Sequence, residues 1–162
     1  MIKRIFAVIL TLCMAFSIFS CKGTEYSHCE LVLPLSADYQ PAVDELYDKL
    51  YTDGQSSVAI LRISFDAAVL EGISDAHTAE EFGRYWLLQC GRVATVKSEP
   101  NVDYCEYYDS STGLEYYYLV AFYRTPNAYF IVLFMSDKAS EDTSRVKFLE
   151  YARGTYFKEW SE

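Results

Sequence analysis

The chain has 162 residues, with 23 acidic against 14 basic side chains and a formal net charge of -9. These values suit one acidic domain and disfavour a nucleic-acid-binding protein, because binding to phosphate backbones needs a basic face. Hydrophobic residues make up 51% and charged residues 23%, a balance typical of a folded domain and not of a disordered chain.

The N-terminus has the pattern of an export signal. Lys3 and Arg4 precede an uncharged stretch over residues 5–19, which is shorter than the roughly 20 apolar residues of a membrane-spanning helix. The junction Ile18-Phe19-Ser20-Cys21 resembles the lipobox of bacterial lipoproteins, in which the thiol of the cysteine is acylated.

Phe19 departs from the lipobox pattern, since a small residue is usual at that position. Two alternatives therefore stay open: simple secretion with Cys21 as a spare thiol, and an uncleaved N-terminal anchor. The resemblance implies lipidation of Cys21, with palmitate-type acyl chains, at the outer face of a bacterial membrane. We predict a cleaved signal peptide over residues 1–20, a lipid-attached tether over 21–28 and a single domain over 29–162.

The first half of the predicted domain contains a strand and a hairpin. Residues 29–35 have a strand pattern, and residues 57–65 form a good β sequence after the turn signal Asp53-Gly54. The segment 43–52 has both helical spacing and strand alternation; the turn that follows favours the first arm of a hairpin. A short helical turn over 66–71 should end at Gly72.

A helix and two strands follow. Thr78 and Glu81 form a capping box, which predicts a helix from Thr78 to Cys90 with Gly91 as its stop. Residues 92–97 and 102–109 have strand length and are separated by the turn Glu99-Pro100-Asn101.

The last elements determine the predicted architecture. Two strands within 114–135, joined by Thr125-Pro126-Asn127, are apolar on both alternating faces and should lie inside an antiparallel sheet covered on both sides. A final helix is predicted from Ala139 to Arg153, ending at Gly154. The predicted class is α+β, with an antiparallel β-sheet and helices on both faces.

This arrangement resembles the Mog1/PsbP-like fold, which includes DcrB-type bacterial lipoproteins. The resemblance rests on residues 47–54 leading into 58–63, on the aromatic strands 116–122 and 128–134, and on the closing helix around Phe148. It implies an accessory or binding role on a larger protein assembly, and it supplies no functional residue, since the family has no short active-site motif that these positions match.

Catalytic and metal sites are poorly supported by the sequence. His28 lies in the predicted tether and His77 precedes the helix cap, and the chain has no Gly-rich phosphate loop and no G-x-S-x-G motif. Cys29, Cys90 and Cys105 are the cysteines left after processing, so one disulfide is open with an undetermined pair, and buried thiols are the alternative. We expect no cofactor.

Four acidic residues could suggest calcium, but strand alternation separates them and a solvated acidic rim is favoured. They are Asp103, Glu106, Asp109 and Glu115.

Aromatic residues make up 17% of the chain. Tyrosine rings suit either a binding surface or a sheet core whose hydroxyls reach its edges. Tyr107, Tyr117, Arg62 and Arg124 are the candidate surface residues, and the two arginines should form ion pairs if they are buried.

The sequence therefore predicts a non-catalytic, membrane-anchored lipoprotein of the bacterial envelope. Its expected partners are another envelope protein and, through the lipid, the membrane. The alternative is a secreted or anchored module that binds a small molecule or peptide in a tyrosine-lined groove. An enzyme comes third.

Overall fold

The computed structural model describes residues 29–70, 72–73, 77–111 and 113–159. The strands are β1 Cys29–Val32, β2 Gln40–Ala42, β3 Lys49–Thr52, β4 Ser56–Ser64, β5 Lys97–Glu99, β6 Val102–Ser111, β7 Leu114–Arg124, β8 Ala128–Asp137 and β9 Tyr156–Glu159. The helices are α1 Phe65–Leu70, α2 Ala79–Gln89 and α3 Glu141–Gly154, with a 3-10 turn at Lys138–Ser140 before α3. The predicted signal peptide, Cys21 and the tether lie outside the described residues.

A seven-stranded antiparallel sheet forms the centre of the fold, in the order β2-β3-β4-β8-β7-β6-β5. The predicted aromatic hairpin is confirmed as β7 and β8, two interior strands that are buried along almost their whole length. Their connection is closed by a hydrogen bond from the Thr125 amide to the Ala128 carbonyl at 2.9 Å. Strands that are apolar on both faces thus lie where both faces are covered.

The hairpin interpretation of the ambiguous segment is confirmed, with a shorter first arm. β3 begins at Lys49, and Val43, which helical spacing would have placed on an apolar face, is 95% exposed. The chain reverses at Gly54, whose φ of +87° is in the left-handed region that favours glycine. The Asp53 carboxylate accepts the amides of Gln55 and Ser56 at 3.0 and 2.7 Å, which stabilises the turn.

Helix α2 covers one face of the sheet, called the α2 face below. The capping box is confirmed: the Thr78 hydroxyl accepts the Glu81 amide at 3.1 Å, and the Glu81 carboxylate accepts the Thr78 amide at 2.9 Å. Phe82 stacks on Tyr129 with ring centroids 4.2 Å apart. A Cβ at Gly83 would lie 2.6 Å from the Phe122 ring, so the helix approaches the sheet closely there.

Helix α3 covers the opposite face, called the α3 face. It begins at Glu141, after the 3-10 turn that the sequence assigned to the helix. Phe148 is fully buried and packs on Phe134 and Tyr117, while the Tyr123 hydroxyl donates to the Ala152 carbonyl at 2.8 Å. The prediction of helices on both faces of an antiparallel sheet is therefore confirmed.

Two predictions at the ends of the domain need correction. The strand predicted over 29–35 ends at Val32 and pairs with β9, which the sequence did not predict. This two-stranded ribbon covers part of the α3 face through Leu31 and Phe157. The strand predicted over 92–97 is wrong except for Lys97, because residues 92–96 form no ladder with a neighbouring strand.

Candidate functional site at the outer edge of β6

Strand β6 has an outer edge that the sheet leaves mostly unpaired. It is laddered to β7 from Asp103 to Ser111, but β5 pairs with Val102, Asp103 and Tyr104 alone. From Cys105 to Ser111, no strand within the described residues lies on the side away from β7. Unpaired strand edges can pair with another chain, and folded proteins usually cover or charge them.

Residues 92–96 run along this edge without hydrogen bonding to it. Arg92, Ala94 and Val96 are half-buried or buried, whereas Val93 and Thr95 are exposed, which is the alternation of a strand. Within the described part of the chain, no backbone hydrogen bond joins this segment to β6.

The end of α2 explains this displacement. The helix ends at Gln89, Gly91 follows with φ +63°, and the Arg92 amide donates back to the Leu87 carbonyl at 2.9 Å. The chain therefore leaves α2 with its first amide turned toward the helix.

A tyrosine stack and an ion pair lie beneath the segment. The Tyr107 and Tyr118 rings are nearly parallel, with centroids 5.0 Å apart, and the Arg92 guanidinium lies 5.3 Å above the Tyr107 ring. Arg92 also pairs with Asp109 at 2.5 Å. The ion pair is the polar contact that holds the start of the segment against β6.

Among the residues that the structure describes, two buried polar atoms at this place have no hydrogen-bond partner, the Tyr107 hydroxyl and Arg92 Nε. Burial raises the pKa of Tyr107 well above its usual value, so the phenol stays protonated with its donor unused. Such atoms are uncommon in native proteins, and each one requires an explanation.

Exposed apolar side chains border the edge. Val93 is fully exposed and Leu88, on the last turn of α2, is 74% exposed. On the α3 side, Tyr108 of β6 is half-exposed, with its hydroxyl donating to Glu141 at 2.6 Å and Lys138 lying 5.2 Å above its ring. The edge thus presents apolar and aromatic surface on both of its sides.

The predicted surface residues do not come together. Tyr107 and Tyr117 are 7% and 1% exposed and lie on opposite faces of the sheet. They therefore belong to the core of the sheet and do not line an exposed groove. Arg62 is half-buried, and its backbone amide donates to the Asp48 carboxylate at 2.6 Å. Arg124 is exposed and lies 5.0 Å above the Phe65 ring.

The acidic residues singled out in the sequence are used in ion pairs. Glu106 accepts from Lys97 and Arg145, and Glu115 pairs with Lys138 at 3.0 Å. Burial alone would raise the pKa of Glu106, but hydrogen bonds from Arg145, Lys97 and Tyr117 outweigh it and lower the pKa to about 2. No cluster of acidic, histidine or cysteine residues in the described ranges could hold a metal ion.

The cysteines and the histidine differ in their surroundings. Cys105 is fully buried on the α2 face as a free thiol, and burial raises its pKa to about 12. Cys90 caps α2 and Cys29 begins β1. The His77 carbonyl accepts the Tyr129 hydroxyl at 3.3 Å. The disulfide that the sequence leaves open among Cys29, Cys90 and Cys105, with an undetermined pair, stays a prediction.

A small cleft opens on the α2 face away from these residues. Its volume is about 20 Å³, room for about one water molecule. Neither candidate arginine contributes to its lining, which is Tyr47, Leu50, Ser57, Ala59, Tyr118, Leu133 and Met135.

None of the helices in the described ranges is long and apolar enough to cross a membrane.

Sequence reasoning missed the β6 edge. Residues 92–97 have strand length and pattern, and nothing in the pattern shows that ladder hydrogen bonds are missing. The signal that could have found it is Leu88 with Val93: both are apolar and lie around the stop Gly91, off the buried stripe of the helix.

Comparison with known proteins identifies the fold alone. No protein-family model and no curated protein matches the chain. The structure is similar to a protein from Bacteroides thetaiotaomicron VPI-5482, solved at 1.50 Å resolution, with a TM-score of 0.51 and 13% sequence identity. The match covers 82% of this chain and 46% of the other, so this chain spans less than half the length of its structural neighbour.

Proposed function

We propose that the chain is a bacterial envelope lipoprotein, anchored by lipid on Cys21, with a non-catalytic accessory role that it performs by binding another envelope protein. The observation that carries the binding role is the outer edge of β6, an incompletely paired strand bordered by exposed Val93, Leu88 and Tyr108. Exposed apolar groups beside an unpaired strand suit a protein partner better than water. The resemblance to the Mog1/PsbP-like fold supports the same role.

The place where the tether would join the domain supports access to this edge. β1 begins at Cys29, and the next residue, Glu30, pairs with Lys49 of β3 at 2.6 Å. β4, β8 and β7 separate β3 from β6, which puts the two strands roughly 19 Å apart at the usual strand spacing. A lipid anchor near β3 would leave the β6 edge on the far side of the sheet.

The side chains that most resemble a catalytic group support a structural role. Ser56 Oγ lies 3.1 Å from both carboxylate oxygens of Asp53 and 2.5 Å from the Tyr39 hydroxyl, and Lys147 lies 3.2 Å from Asp53. Burial alone would lower the pKa of Lys147, but Tyr39 and Asp53 raise it overall. Burial alone would raise the pKa of Asp53, but hydrogen bonds from the Ser56 and Gln55 amides and from Lys147 lower it overall, so the carboxylate that accepts the Ser56 hydroxyl is a weak base. The cluster connects α3 to the β3–β4 turn through Lys147.

The alternative of a small-molecule module is less well supported by the described cleft. Ligand pockets usually enclose about 300–1,000 Å³, far more than the 20 Å³ found here. A ligand larger than a water molecule would require the residues that line the cleft to move.

Intact mass and membrane fractionation of the natively expressed protein test the anchor. Wild type should show cleavage before Cys21 plus acyl chains and should fractionate with membranes. Cys21→Ala should lose both properties, and the control Cys29→Ala should keep both. An unlipidated, soluble wild-type protein would contradict the anchor and favour a secreted binding module.

Photocrosslinking in cells tests the binding role. A photoreactive residue is placed in turn at Ser110 and Val93 beside the β6 edge, and at Gln40 and Val146 elsewhere on the surface. We expect crosslinks to a defined envelope protein. A lack of crosslinks at all four positions would contradict a protein-binding function.

A further inference from the structure

We propose that an extended segment of a partner protein adds as a strand to the outer edge of β6, in the place that residues 92–96 now hold without ladder hydrogen bonds. The inference rests on the proposed function, because it presupposes a protein partner, and it adds the location and the mode of binding. Strand addition gives affinity through main-chain hydrogen bonds and specificity through alternate side chains.

The register shows what residues 92–96 occupy. β5 pairs Lys97 with Tyr104, and continuing this antiparallel register places Arg92 opposite Asp109. Their side chains do meet there, at 2.5 Å. The segment therefore occupies the ladder position of an edge strand, while no backbone hydrogen bond to β6 is formed by it in the described part of the chain. Residues 92–96 therefore cover the β6 edge without forming the ladder hydrogen bonds of an edge strand.

Two polar atoms beneath residues 92–96 indicate that this segment leaves hydrogen-bonding groups at the β6 edge unused. Arg92 Nε and the hydroxyl of Tyr107, a residue only 7% exposed, are buried without a partner in the described ranges. Leaving such groups unpaired destabilises the covered state, and displacement of the segment would return both groups to water or to a partner. One partly buried ion pair, between Arg92 and Asp109, holds the start of the segment to β6, so breaking this pair should ease displacement of the segment.

The charge near the edge selects the chemistry of the partner. Two exposed carboxylates lie near the Ser111 end of β6: Glu115, which is opposite Ser110 and pairs with Lys138, and Asp137, which is opposite Tyr116 of β7. The whole chain carries a formal charge of -9, which opposes pairing with a second copy. The fitting occupant is an extended segment of another protein with apolar alternate side chains, to lie against Tyr108 and Leu88, and basic ends.

Binding of a synthetic probe tests this mode with the full processed chain in detergent. The probe is a short peptide of alternating valine and threonine with a lysine at each end, and its control carries N-methyl groups on alternate amides. The unmodified peptide should bind and the methylated one should not, because methylation removes the donors that pair with a strand edge. Equal binding of both peptides would overturn the proposal.

Variants that break the Arg92–Asp109 ion pair test whether a partner strand displaces residues 92–96. Arg92→Ala and Asp109→Asn both break the ion pair, with opposite changes of charge, and each should tighten peptide binding about two- to fivefold. Arg84→Ala removes a cation from the exposed Arg84–Glu80 pair on α2 and should leave the affinity unchanged. Tightening by Arg92→Ala with weakening by Asp109→Asn would reveal simple charge attraction and would overturn displacement.

The cellular crosslinks separate this inference from the proposed function. Crosslinks to one partner from Ser110 and Val93, mapped to an extended segment of it, support strand addition. Crosslinks from Gln40 or Val146 alone would keep a protein-binding function and overturn the β6 edge as its site.

Discussion

Two tyrosines in adjacent rows of the β6–β7 ladder, on opposite faces of the sheet, differ in the hydrogen bonding of their hydroxyls. On the α3 face, Tyr117 donates to Glu106 at 2.8 Å, and Glu106 also receives Arg145 of α3 and Lys97. One row away on the α2 face, Tyr107 stacks on Tyr118 and its hydroxyl has no partner. The Tyr117 hydroxyl on the α3 face is therefore satisfied, whereas the Tyr107 hydroxyl on the α2 face is unpaired within the described residues.

The covering elements cause the difference. Helix α3 carries Arg145 toward the sheet, so the partly buried carboxylate of Glu106 is compensated and accepts the Tyr117 hydroxyl. The α2 face receives Arg92 from the segment after the helix, and Asp109 already pairs with its guanidinium. A satisfied network fixes one arrangement, whereas an unsatisfied one lowers the cost of rearrangement. Tyr107, whose hydroxyl is unpaired within the described residues, lies on β6, the strand with the open outer edge.

The largest effects should show that the two faces are equal in apolar packing. Phe82 of α2 and Phe148 of α3 are 1% and 0% exposed. Replacing either with alanine should cost about 3–5 kcal/mol in the free energy of unfolding, because each change removes a ring and leaves a cavity. Urea denaturation measures both. A cost below about 1 kcal/mol for one of them, within the range of a surface change, would mean that its face is loosely packed.

A smaller effect should come from the satisfied network. Glu106→Gln removes a carboxylate that holds Arg145 and Lys97, and it should cost about 2 kcal/mol at neutral pH. The folded-state pKa of Glu106 is lowered from 4.5 to about 2, so its ionised form is favoured by folding. This stability is fully present above pH 4.5 and is lost as the pH falls from 4.5 toward 2.

Urea midpoints at neutral and acidic pH check this prediction. The difference between wild type and Glu106→Gln should shrink as the pH falls through that window. A difference that stays constant down to about pH 2 would show that the carboxylate charge is not what stabilises the α3 face. Glu115→Gln, which removes an exposed carboxylate paired with Lys138, is the matched control and should change stability by less than 1 kcal/mol.

Elements with a local signature could be predicted from the sequence. The capping box at Thr78 and the glycine stop at Gly91 set the limits of α2, and the doubly apolar strands identified the centre of the sheet. These signals depend on neighbours within a few residues. Pairing of β1 with β9 could not be predicted, because it joins Cys29 to Glu159 across the whole domain.

The candidate site at the β6 edge could not be predicted either, because it depends on contacts between residues far apart in the sequence. Residues 92–96 have the alternation of a strand, and the missing hydrogen bonds depend on where the end of α2 delivers the chain. The tyrosine run of β7 shows burial on both faces but gives no sign of which hydroxyl finds a carboxylate. That choice depends on Arg145 and Glu106, which lie on different elements and come together in the folded domain at 2.5 Å.

The smallest and most specific effect should separate the two tyrosines. Tyr117→Phe removes the donor to Glu106 and should cost about 1 kcal/mol in the free energy of unfolding. Tyr107→Phe removes a buried hydroxyl that has no partner, so the variant should be as stable as wild type or more stable, within about 0.5 kcal/mol. The two changes delete the same atom from the same ring type in neighbouring rows, so each is the control for the other. Equal destabilisation in urea melts would mean that the Tyr107 hydroxyl has a hydrogen-bond partner in solution. The contrast between Tyr107 and Tyr117 would then disappear.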